Sequence, residues 1–351
     1  MRITLITTTI HVPELLNEYA RKFSSKNDKL NFIIAGDRKT PDLSGFCEGI
    51  ESKFGIQAEC LTLKAEEELS EGLYKHIPLD SVPRRNFAIL KAYRDNADVI
   101  ITIDDDNLIQ DPSYYDFHSI VAKGPVNVNE VSSSSGWFNV CRLLTEASGR
   151  TFYHRGFPIN QRAEESKASI TAKSTKKKVT MSEGMWFGAP DTDAISWLAH
   201  GNIDVNGVHS DFGNQFALAE GTWCSTNSQN TAMARESIPA YFLQPTAGRY
   251  DDIWAGYVFR KIADTLGHAV VYGEPMVRQD RNAHDYTVDL RKEVDGMEQT
   301  PGLVDQLRKT RLEGKTYKDC TYELIEKIRP TTKMIDEFKT GYSKWLEAIE
   351  D

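Results

Sequence analysis

The sequence lacks the features that mark several large classes of protein. Its five cysteines are scattered without a CxxC pair, which excludes a disulfide framework and the usual zinc pattern. Its histidines show no HExxH spacing, which argues against a zinc enzyme of that kind. No apolar run reaches the roughly 18 residues of a membrane span, and "MRITLITTTIHV" is too short and too rich in threonine for a signal peptide. We therefore expect a cytoplasmic protein without a transmembrane segment.

The chain also lacks a surplus of positive charge. It carries 42 Lys and Arg against 51 Asp and Glu, a net charge of -9, whereas nucleic-acid binding is driven by surplus Lys and Arg. We expect no nucleic-acid partner, and an anionic substrate would need a local cation, either a metal ion or clustered arginines. With 351 residues, 40% of them hydrophobic, the chain is long enough for one large α/β domain, with or without a helical appendage.

Strand and helix patterns alternate through the first hundred residues. "RITLITTTI", "LNFIIAGD" and "DVIITI" are rich in β-branched residues and predict buried strands, while "HVPELLNEYARKFSS" and "PRRNFAILKAY" have helical spacing. This alternation predicts a parallel, doubly wound sheet. Ligands bind outside the carboxyl ends of the strands in such sheets, which places Thr8 and Asp37 beside a bound ligand.

Three consecutive carboxylates, Asp104, Asp105 and Asp106, follow the strand "DVIITI". They could form a solvated turn or a divalent-metal site. Mg²⁺ and Mn²⁺ prefer oxygen ligands and commonly bind through one or two carboxylates together with substrate phosphates. The position at a strand end favours the metal site.

Further candidate residues lie in three short segments. In "GRYDDIWAG", Asp251 and Asp252 begin a helix, where one acid caps backbone N–H groups and a second could act as a general base or stabilise a sugar cation. "HRGFPINQR" contributes Arg155 and Arg162, since arginines on loops bind phosphate bidentately. "PRRNFA" offers Arg85 and Asn86 to a phosphate or base. In isolation, such arginines are more often part of a solvated surface.

Two other segments bear on domain organisation. Residues 162–181 are polar and charged and predict a mobile loop near the site or a disordered surface insertion. Two amphipathic helices are predicted after Thr316, with Tyr342, Trp345 and Ile349 at helical spacing. We expect one α/β domain over residues 1–300, which holds the candidate site residues, and a helical appendage over residues 301–351.

Several motifs together resemble one family. The segments "ITIDDD", "HRGFPINQR", "GMWFGAPDTDA" and "GRYDDIWAG" occur in the order found in the reversibly glycosylated polypeptides, the UDP-arabinopyranose mutases of glycosyltransferase family 75. The tail segments "KDCTYELIEKI" and "KWLEAIED" are also similar, so the resemblance covers nearly the whole chain. "GRYDDIWAG" is long enough to be specific, and "DDD" is not.

The resemblance implies a glycosyltransferase A-type, Rossmann-like fold with a mixed sheet flanked by helices. It also implies that the domain over residues 1–300 binds a nucleotide sugar as substrate and that the carboxylates hold Mn²⁺ or Mg²⁺. It implies that Arg155 matches a self-glycosylated arginine, that Arg162 matches a second arginine needed for activity, and that Asp252 occupies the base position of related inverting transferases. Two departures from the family pattern are the extra residues between Arg162 and "GMW", including Lys176 to Lys178, and a missing histidine whose place is taken by Gln279 or Asp280, with His284 nearby.

The candidate site residues fall into three groups. The predicted catalytic residues are Asp252, Arg155, Arg162 and Asp251. The predicted nucleotide-sugar-binding residues are Thr8, Asp37, Arg85, Asn86, Asp104, Asp105, Trp186, Gly248 and Arg249. The predicted metal ligands are Asp104, Asp106 and His284.

Three functions are compatible with these residues. The first is a mutase that interconverts pyranose and furanose forms of a UDP-sugar. The second is a metal-dependent glycosyltransferase that moves the sugar to a separate acceptor, and the third is a nucleotide-sugar-binding subunit of a hetero-complex. Homo- or hetero-oligomers are compatible with all three.

Overall fold

The computed structural model describes residues 1–23, 27–209, 213, 215–280 and 285–350. The described residues form thirteen strands and twelve α-helices. The strands are β1 Arg2–Thr8, β2 Lys29–Ala35, β3 Gln57–Leu61, β4 Val99–Ile103, β5 Asn107–Ile109, β6 Val126–Ser133, β7 Leu144–Glu146, β8 Ile170–Lys177, β9 Val179–Gly188, β10 Val205–Val208, β11 Gln215–Leu218, β12 Asn230–Ala234 and β13 Ala269–Gln279. The helices are α1 Leu16–Lys22, α2 Ser44–Phe54, α3 Leu63–Leu69, α4 Glu71–His76, α5 Arg85–Arg94, α6 Tyr114–His118, α7 Arg162–Glu165, α8 Ala194–His200, α9 Asp251–Leu266, α10 Tyr286–Lys309, α11 Tyr317–Lys327 and α12 Lys333–Glu350.

The strands form one mixed sheet in the order β3-β2-β1-β4-β12-β9-β13-β11-β6-β8. The first four of these are parallel, as the strand and helix alternation predicts. Beyond β4 the pairing changes, because β12 runs antiparallel to both β4 and β9. The predicted α/β class with a mixed sheet is therefore confirmed, whereas a wholly parallel sheet is wrong.

The parallel strands β1, β2 and β4 end at one edge of the sheet. β1 and β4 consist almost entirely of buried residues, as expected for strands covered by helices on both faces. Thr8 pairs with Ala35 at the end of β2, and the Asp104 N–H donates to the Gln229 carbonyl just before β12. The polar residues that follow these strands are thereby gathered at one edge.

The prediction of a mobile loop over residues 162–181 is wrong. Residues 162–165 form α7, and β8 pairs with β6 over eight residues, from Val126 with Lys177 to Ser133 with Ile170. β8 lies at the end of the strand order, and most of its side chains are exposed. An edge strand needs little apolar surface, and lysines protect such an edge against pairing with other chains. Low hydrophobicity therefore did not indicate disorder here.

The C-terminal helices are confirmed as α11 and α12, and Tyr342, Trp345 and Ile349 are buried. α10 lies before them, crosses the predicted boundary at residue 300 and was not predicted. The division into residues 1–300 and 301–351 stays a prediction. No helix among the described residues is both long and apolar enough to cross a membrane.

Candidate functional site

A cavity of about 330 Å³ lies at the strand-end edge of the sheet. Its walls come from the ends of β1 and β4, the loop before β12, the start of α9, and the segments around Arg155 and Asp191. The lining residues are Thr8, Val82, Arg85, Asp104, Asp105, Asp106, Arg155, Asp191, Ser228, Gln229, Gly248, Arg249, Asp251, Asp252 and Gln279. Ten of the predicted site residues therefore meet in one place.

The three carboxylates after β4 have different partners. The Arg85 guanidinium donates to Asp104 at 2.7 Å, and the Thr9 hydroxyl donates to Asp105 at 2.5 Å. The Gln279 amide lies 3.3 Å from an Asp106 oxygen. Asp104 keeps 39% of its side chain exposed, so the acids are held by neighbours and still face the cavity. This arrangement is more than a solvated turn.

Arg85 links this acid cluster to the other wall. The residue is buried at the start of α5 and also donates to the Ser228 carbonyl at 2.9 Å and hydroxyl at 2.8 Å. A further bond from the same guanidinium reaches the Thr8 hydroxyl at 3.2 Å. One cation thus joins the ends of β1 and β4 to the loop before β12.

Arg155 is held between two buried carboxylates. Its guanidinium donates to Asp191 at 2.7 and 3.0 Å and to Asp252 at 3.1 and 3.2 Å, and it also bonds the Arg249 carbonyl. Burial alone would lower the pKa of Arg155, but Asp191 and Asp252 raise it well above its ordinary value. Burial alone would likewise raise the pKa of Asp191, but Arg155 holds it well below its usual range. Arg155 and Asp191 are therefore both charged at neutral pH.

A buried histidine contacts the backbone of Arg155. His154 lies with one ring nitrogen 2.7 Å from Glu183, and its Nδ1–H donates to the Arg155 carbonyl at 2.8 Å. Burial alone would lower the pKa of His154, but the Glu183 carboxylate raises it. This network fixes the backbone at Arg155.

Asp251 and Asp252 are adjacent acids with different environments. Asp252 accepts from the Ser228 N–H at 3.0 Å and hydroxyl at 3.1 Å, in addition to Arg155. Burial, and then the neighbouring Asp252 charge, raise the pKa of Asp251 to about 8. The pair therefore offers one acid that Arg155 and Ser228 hold by hydrogen bonds, and one acid whose raised pKa favours its protonated form near neutral pH.

Other predicted site residues do not line the cavity. Arg162 forms an ion pair with Asp193 and packs over the Tyr153 ring at 4.7 Å. Asn86 is buried, and its amide bonds both the N–H and the carbonyl of Leu243. Trp186 is fully buried in β9. For Asn86 and Trp186, the structure shows a place in the core.

Asp37, predicted to face the nucleotide, lines a neighbouring pocket of about 240 Å³. This pocket shares Thr8, Val82 and Asp105 with the main cavity. Asp37 accepts from the Ser81 N–H at 3.2 Å. The two spaces are therefore adjacent, with Asp105 on their common border.

Four residues of the two pockets are not predicted from the sequence, namely Ser228, Gln229, Asp191 and Thr9. Ser228 and Gln229 lie in the polar run "STNSQN", which resembles an ordinary loop in sequence but is buried throughout. Asp191 lies inside "GAPDTDA", a motif that carried the family resemblance, so its role could have been sought there. Thr9 adjoins Thr8 at the strand end and follows from the same rule.

The predicted metal ligands are only partly described. Asp104 and Asp106 line the cavity, and His284 lies outside the described residues. No group of three or more His, Cys, Asp or Glu side chains that could hold a metal ion occurs within the part of the chain that the structure covers.

Solved structures with a similar chain path include two proteins in complex with UDP-sugars. Glucosyl-3-phosphoglycerate synthase from Mycobacterium tuberculosis, in complex with Mn²⁺ and UDP-glucose, gives a TM-score of 0.42 at 9% identity over 85% of this chain and 78% of that one. S. aureus TarS 1-349 in complex with UDP-GlcNAc gives a TM-score of 0.38 at 11% identity over 100% of this chain and 91% of that one. We base no assignment on likeness at this level.

Curated relatives are more informative. UDP-arabinopyranose mutase 3 of Arabidopsis thaliana is 28% identical over 72% of this chain and 68% of its own length. UDP-arabinopyranose mutase 1 of the same plant is 29% identical over 56% of this chain and 54% of its own length. A family model described as reversibly glycosylated polypeptide matches residues 55–350, and this chain therefore belongs to that family.

Proposed function

We propose that the protein is a UDP-sugar mutase that interconverts the pyranose and furanose forms of a UDP-pentose such as UDP-arabinose. The observation that carries the proposal is the buried Arg155, held by Asp191 and Asp252 in a cavity that also contains the acid cluster Asp104 to Asp106. The relatives named as UDP-arabinopyranose mutases support the same activity.

The reaction needs departure of UDP, reorganisation of the sugar and recapture of UDP. The bond between the anomeric carbon and the diphosphate breaks with its electron pair on the diphosphate, so positive charge develops on the sugar. We assign the stabilisation of this charge to Asp252. Arg155 holds Asp252 in place, because it donates to both of its oxygens.

Changing the ring size also moves one proton. The hydroxyl that closes the new ring loses a proton, and the former ring oxygen gains one. A carboxyl group with a pKa near the working pH transfers protons most efficiently. Asp251, with its pKa raised to about 8 by burial and by Asp252, is the residue to which we assign this transfer.

The acid cluster suits a divalent metal. Asp104 and Asp106 supply carboxylate oxygens in the cavity, and the Gln279 carboxamide lies beside Asp106. This set of donors fits Mg²⁺ or Mn²⁺, which complete their coordination with substrate phosphates and water. A bound metal would neutralise the diphosphate and stabilise it as a leaving group.

The neighbouring pocket suits the nucleoside. Asp37 and Thr8 contribute polar groups to it, and exposed Ile10 and Val82 contribute apolar surface. A base and ribose there would place the diphosphate near Asp105 and the sugar in the main cavity. Arg249, which lines the main cavity, would contact the diphosphate or the sugar.

Metal dependence gives one test of this arrangement. We expect Asp106→Asn to abolish metal-dependent UDP binding, measured by calorimetry with and without Mn²⁺, while the melting temperature stays nearly unchanged. Asp305→Asn, at an exposed position of α10, serves as the matched control. A large fall in the stability of Asp106→Asn would instead show that the acid cluster is structural.

Self-glycosylation on Arg155 requires more than the mutase reaction. The guanidinium would have to lose a proton and leave two carboxylates that hold it as a cation. We therefore propose a charge-pairing role for Arg155, and the intact mass of the protein after turnover tests for a sugar adduct.

A second candidate is a glycosyltransferase with a separate acceptor. A pocket of about 400 Å³ lies beside the main cavity and shares Gln279 with it. Its other lining residues include Trp197, Arg278 and Tyr286. An acceptor in this pocket would lie next to the sugar.

Incubation of the protein with UDP-arabinopyranose and Mn²⁺ or Mg²⁺ separates the two functions. Chromatography that shows UDP-arabinofuranose establishes the mutase, and Asp252→Asn should then abolish the product. Free UDP without the furanose form favours the transferase. No change in any nucleotide would count against both functions with this sugar.

We also propose a cytoplasmic location. All five cysteines are free thiols, and four are buried, as is usual in a reducing compartment. Cell fractionation with an antibody against the chain tests this location.

A further inference from the structure

We propose that Glu293, on α10, is a positioning residue that orients Arg249 for the nucleotide sugar. This inference rests on the proposed function, because it assigns Arg249 to substrate binding. Glu293 lies outside the cavity lining, and neither the family motifs nor the site residues predicted from sequence include it.

α10 lies directly against the segment that leads into Asp251 and Asp252. A Cβ atom at Gly296 would lie 2.3 Å from Cγ of Tyr250, a distance that no side chain tolerates. Tyr250 immediately precedes the two acids and is buried. The glycine therefore allows a contact through which α10 fixes one wall of the cavity.

Both carboxylate oxygens of Glu293 accept a hydrogen bond. One accepts from Nε of Arg249 at 2.9 Å, and the other accepts from the Ala194 N–H at 2.8 Å. Glu293 is fully buried, whereas the Arg249 side chain keeps 24% exposure. A buried carboxylate of this kind holds its partner firmly, because charge-assisted bonds are strong where water is excluded.

One of these bonds holds a residue that lines the cavity, since the Arg249 carbonyl also accepts from Arg155. The other holds Ala194, three residues after Asp191, which lines the cavity as well. Glu293 bonds Nε of Arg249, while Asp289 of the same helix lies 3.6 Å from one terminal nitrogen, so α10 sets the orientation in which the Arg249 guanidinium lines the cavity. Such preorganisation reduces the entropy lost when an arginine binds a phosphate.

Glu293→Gln tests the inference because it removes the charge and keeps an acceptor for the Ala194 N–H. We expect the dissociation constant for UDP with Mn²⁺ to rise by about tenfold, the effect of weakening one hydrogen bond to a charged group. Glu298→Gln, at an exposed position of the same helix, should leave binding unchanged. Far-UV circular dichroism and thermal melting show whether Glu293→Gln remains folded.

The same substitution in an Arg249→Ala background separates positioning from general structural support. If Glu293 acts through Arg249, adding Glu293→Gln to Arg249→Ala should change UDP binding by less than about twofold, because the partner is already absent. A full tenfold effect in that background would overturn the inference, and so would an unchanged UDP affinity of the Glu293→Gln single variant. In both cases, UDP binding by the wild type would leave the proposed function intact. No UDP binding by the wild type would overturn both.

Discussion

Individual charged residues at the site depend on their partners more than on solvent. Arg155 balances Asp191 and Asp252, each nine-tenths buried. Removing one member of a buried ion pair costs about 3–5 kcal/mol, because the remaining charge stays buried without a partner. The stability of the protein therefore reports on this arrangement without any assay of activity.

We expect Arg155→Ala to lower the free energy of unfolding by about 3–5 kcal/mol, measured in urea. Asp191→Asn added to Arg155→Ala should recover part of the loss, because it removes one of the two stranded carboxylates. Arg278→Ala is the control, since Arg278 pairs with Asp280 at an exposed position where a salt bridge contributes about 0–1 kcal/mol. A double variant less stable than Arg155→Ala would contradict this account.

Asp251 gives stability a predictable pH dependence. Its pKa is raised to about 8 by burial and by Asp252, whereas an unfolded aspartate ionises near about pH 4. Between these values the folded state keeps a proton that the unfolded state releases. The contribution of Asp251 is therefore full below about pH 4 and falls by about 1.4 kcal/mol per unit until about pH 8.

Asp251→Asn should remove that dependence, because asparagine imitates the neutral acid. The free energy of unfolding of the wild type should fall relative to that of the variant between about pH 6 and about pH 7.5. Urea titrations of both proteins at these two pH values measure the difference. Parallel pH profiles would show that Asp251 is ionised in the folded state.

The sequence predicted some of these residues and missed others for a physical reason. Asp104 to Asp106 follow a buried strand, and the strand-end rule placed them at a ligand site. Ser228 reaches Arg85 across 143 residues of chain, and nothing in "STNSQN" indicates that contact. Asn86 and Trp186 are fully buried, and polar or aromatic character alone does not distinguish such a core position from a site position in the sequence.

At the scale of elements, α9 brings Asp252 to Ser228 by a close approach. A Cβ atom at Gly256, one turn after Asp252, would lie 2.0 Å from the Thr226 hydroxyl. Thr226 belongs to the buried run that contains Ser228. The helix can therefore lie against this run only if residue 256 has no side chain.

We expect Gly256→Ala to destabilise the protein by about 1–3 kcal/mol through overpacking and to reduce turnover, since Asp252 and Ser228 would separate. Gly302→Ala in α10 is the matched control, because its Cβ atom meets nothing within 4 Å. Alanine there should stabilise the helix by about 0.5–1 kcal/mol. Urea unfolding of the two variants should thus give effects of opposite sign.

The unpredicted helix α10 shows where sequence patterns fail at this scale. Pro301 lies inside it, and proline normally ends or kinks a helix. Buried Leu303, Val304 and Leu307 continue beyond the proline, so packing on the core outweighs the local preference. Much of the support for the site therefore comes from an element with a weak helix signal.

At the scale of the whole molecule, the C-terminal helices share the core of the sheet domain. Trp345 is fully buried, lies 5.7 Å from the Phe242 ring centroid, and donates to the Ile238 carbonyl at 3.3 Å. Leu243, next in the chain, bonds Asn86 of α5 through its backbone. The C-terminal helices, the segment that follows β12 and the N-terminal half are thus connected through buried contacts.

This shared core predicts that residues 301–351 unfold together with residues 1–300. Far-UV circular dichroism and tryptophan fluorescence should give coincident urea transitions, the behaviour of a single cooperative unit. Trp345→Ala should lower the free energy of unfolding by about 3–5 kcal/mol without splitting the transition. The control is Lys333→Ala, at a position of α12 that is 89% exposed, which should change the free energy of unfolding by no more than about 0.5 kcal/mol.

Two separate transitions, or a stable proteolytic fragment that ends near residue 300 and still binds UDP, would show that the appendage is an independent unit. Because α10 both supports Arg249 through Glu293 and crosses residue 300, a fragment cut there should lose UDP affinity together with stability.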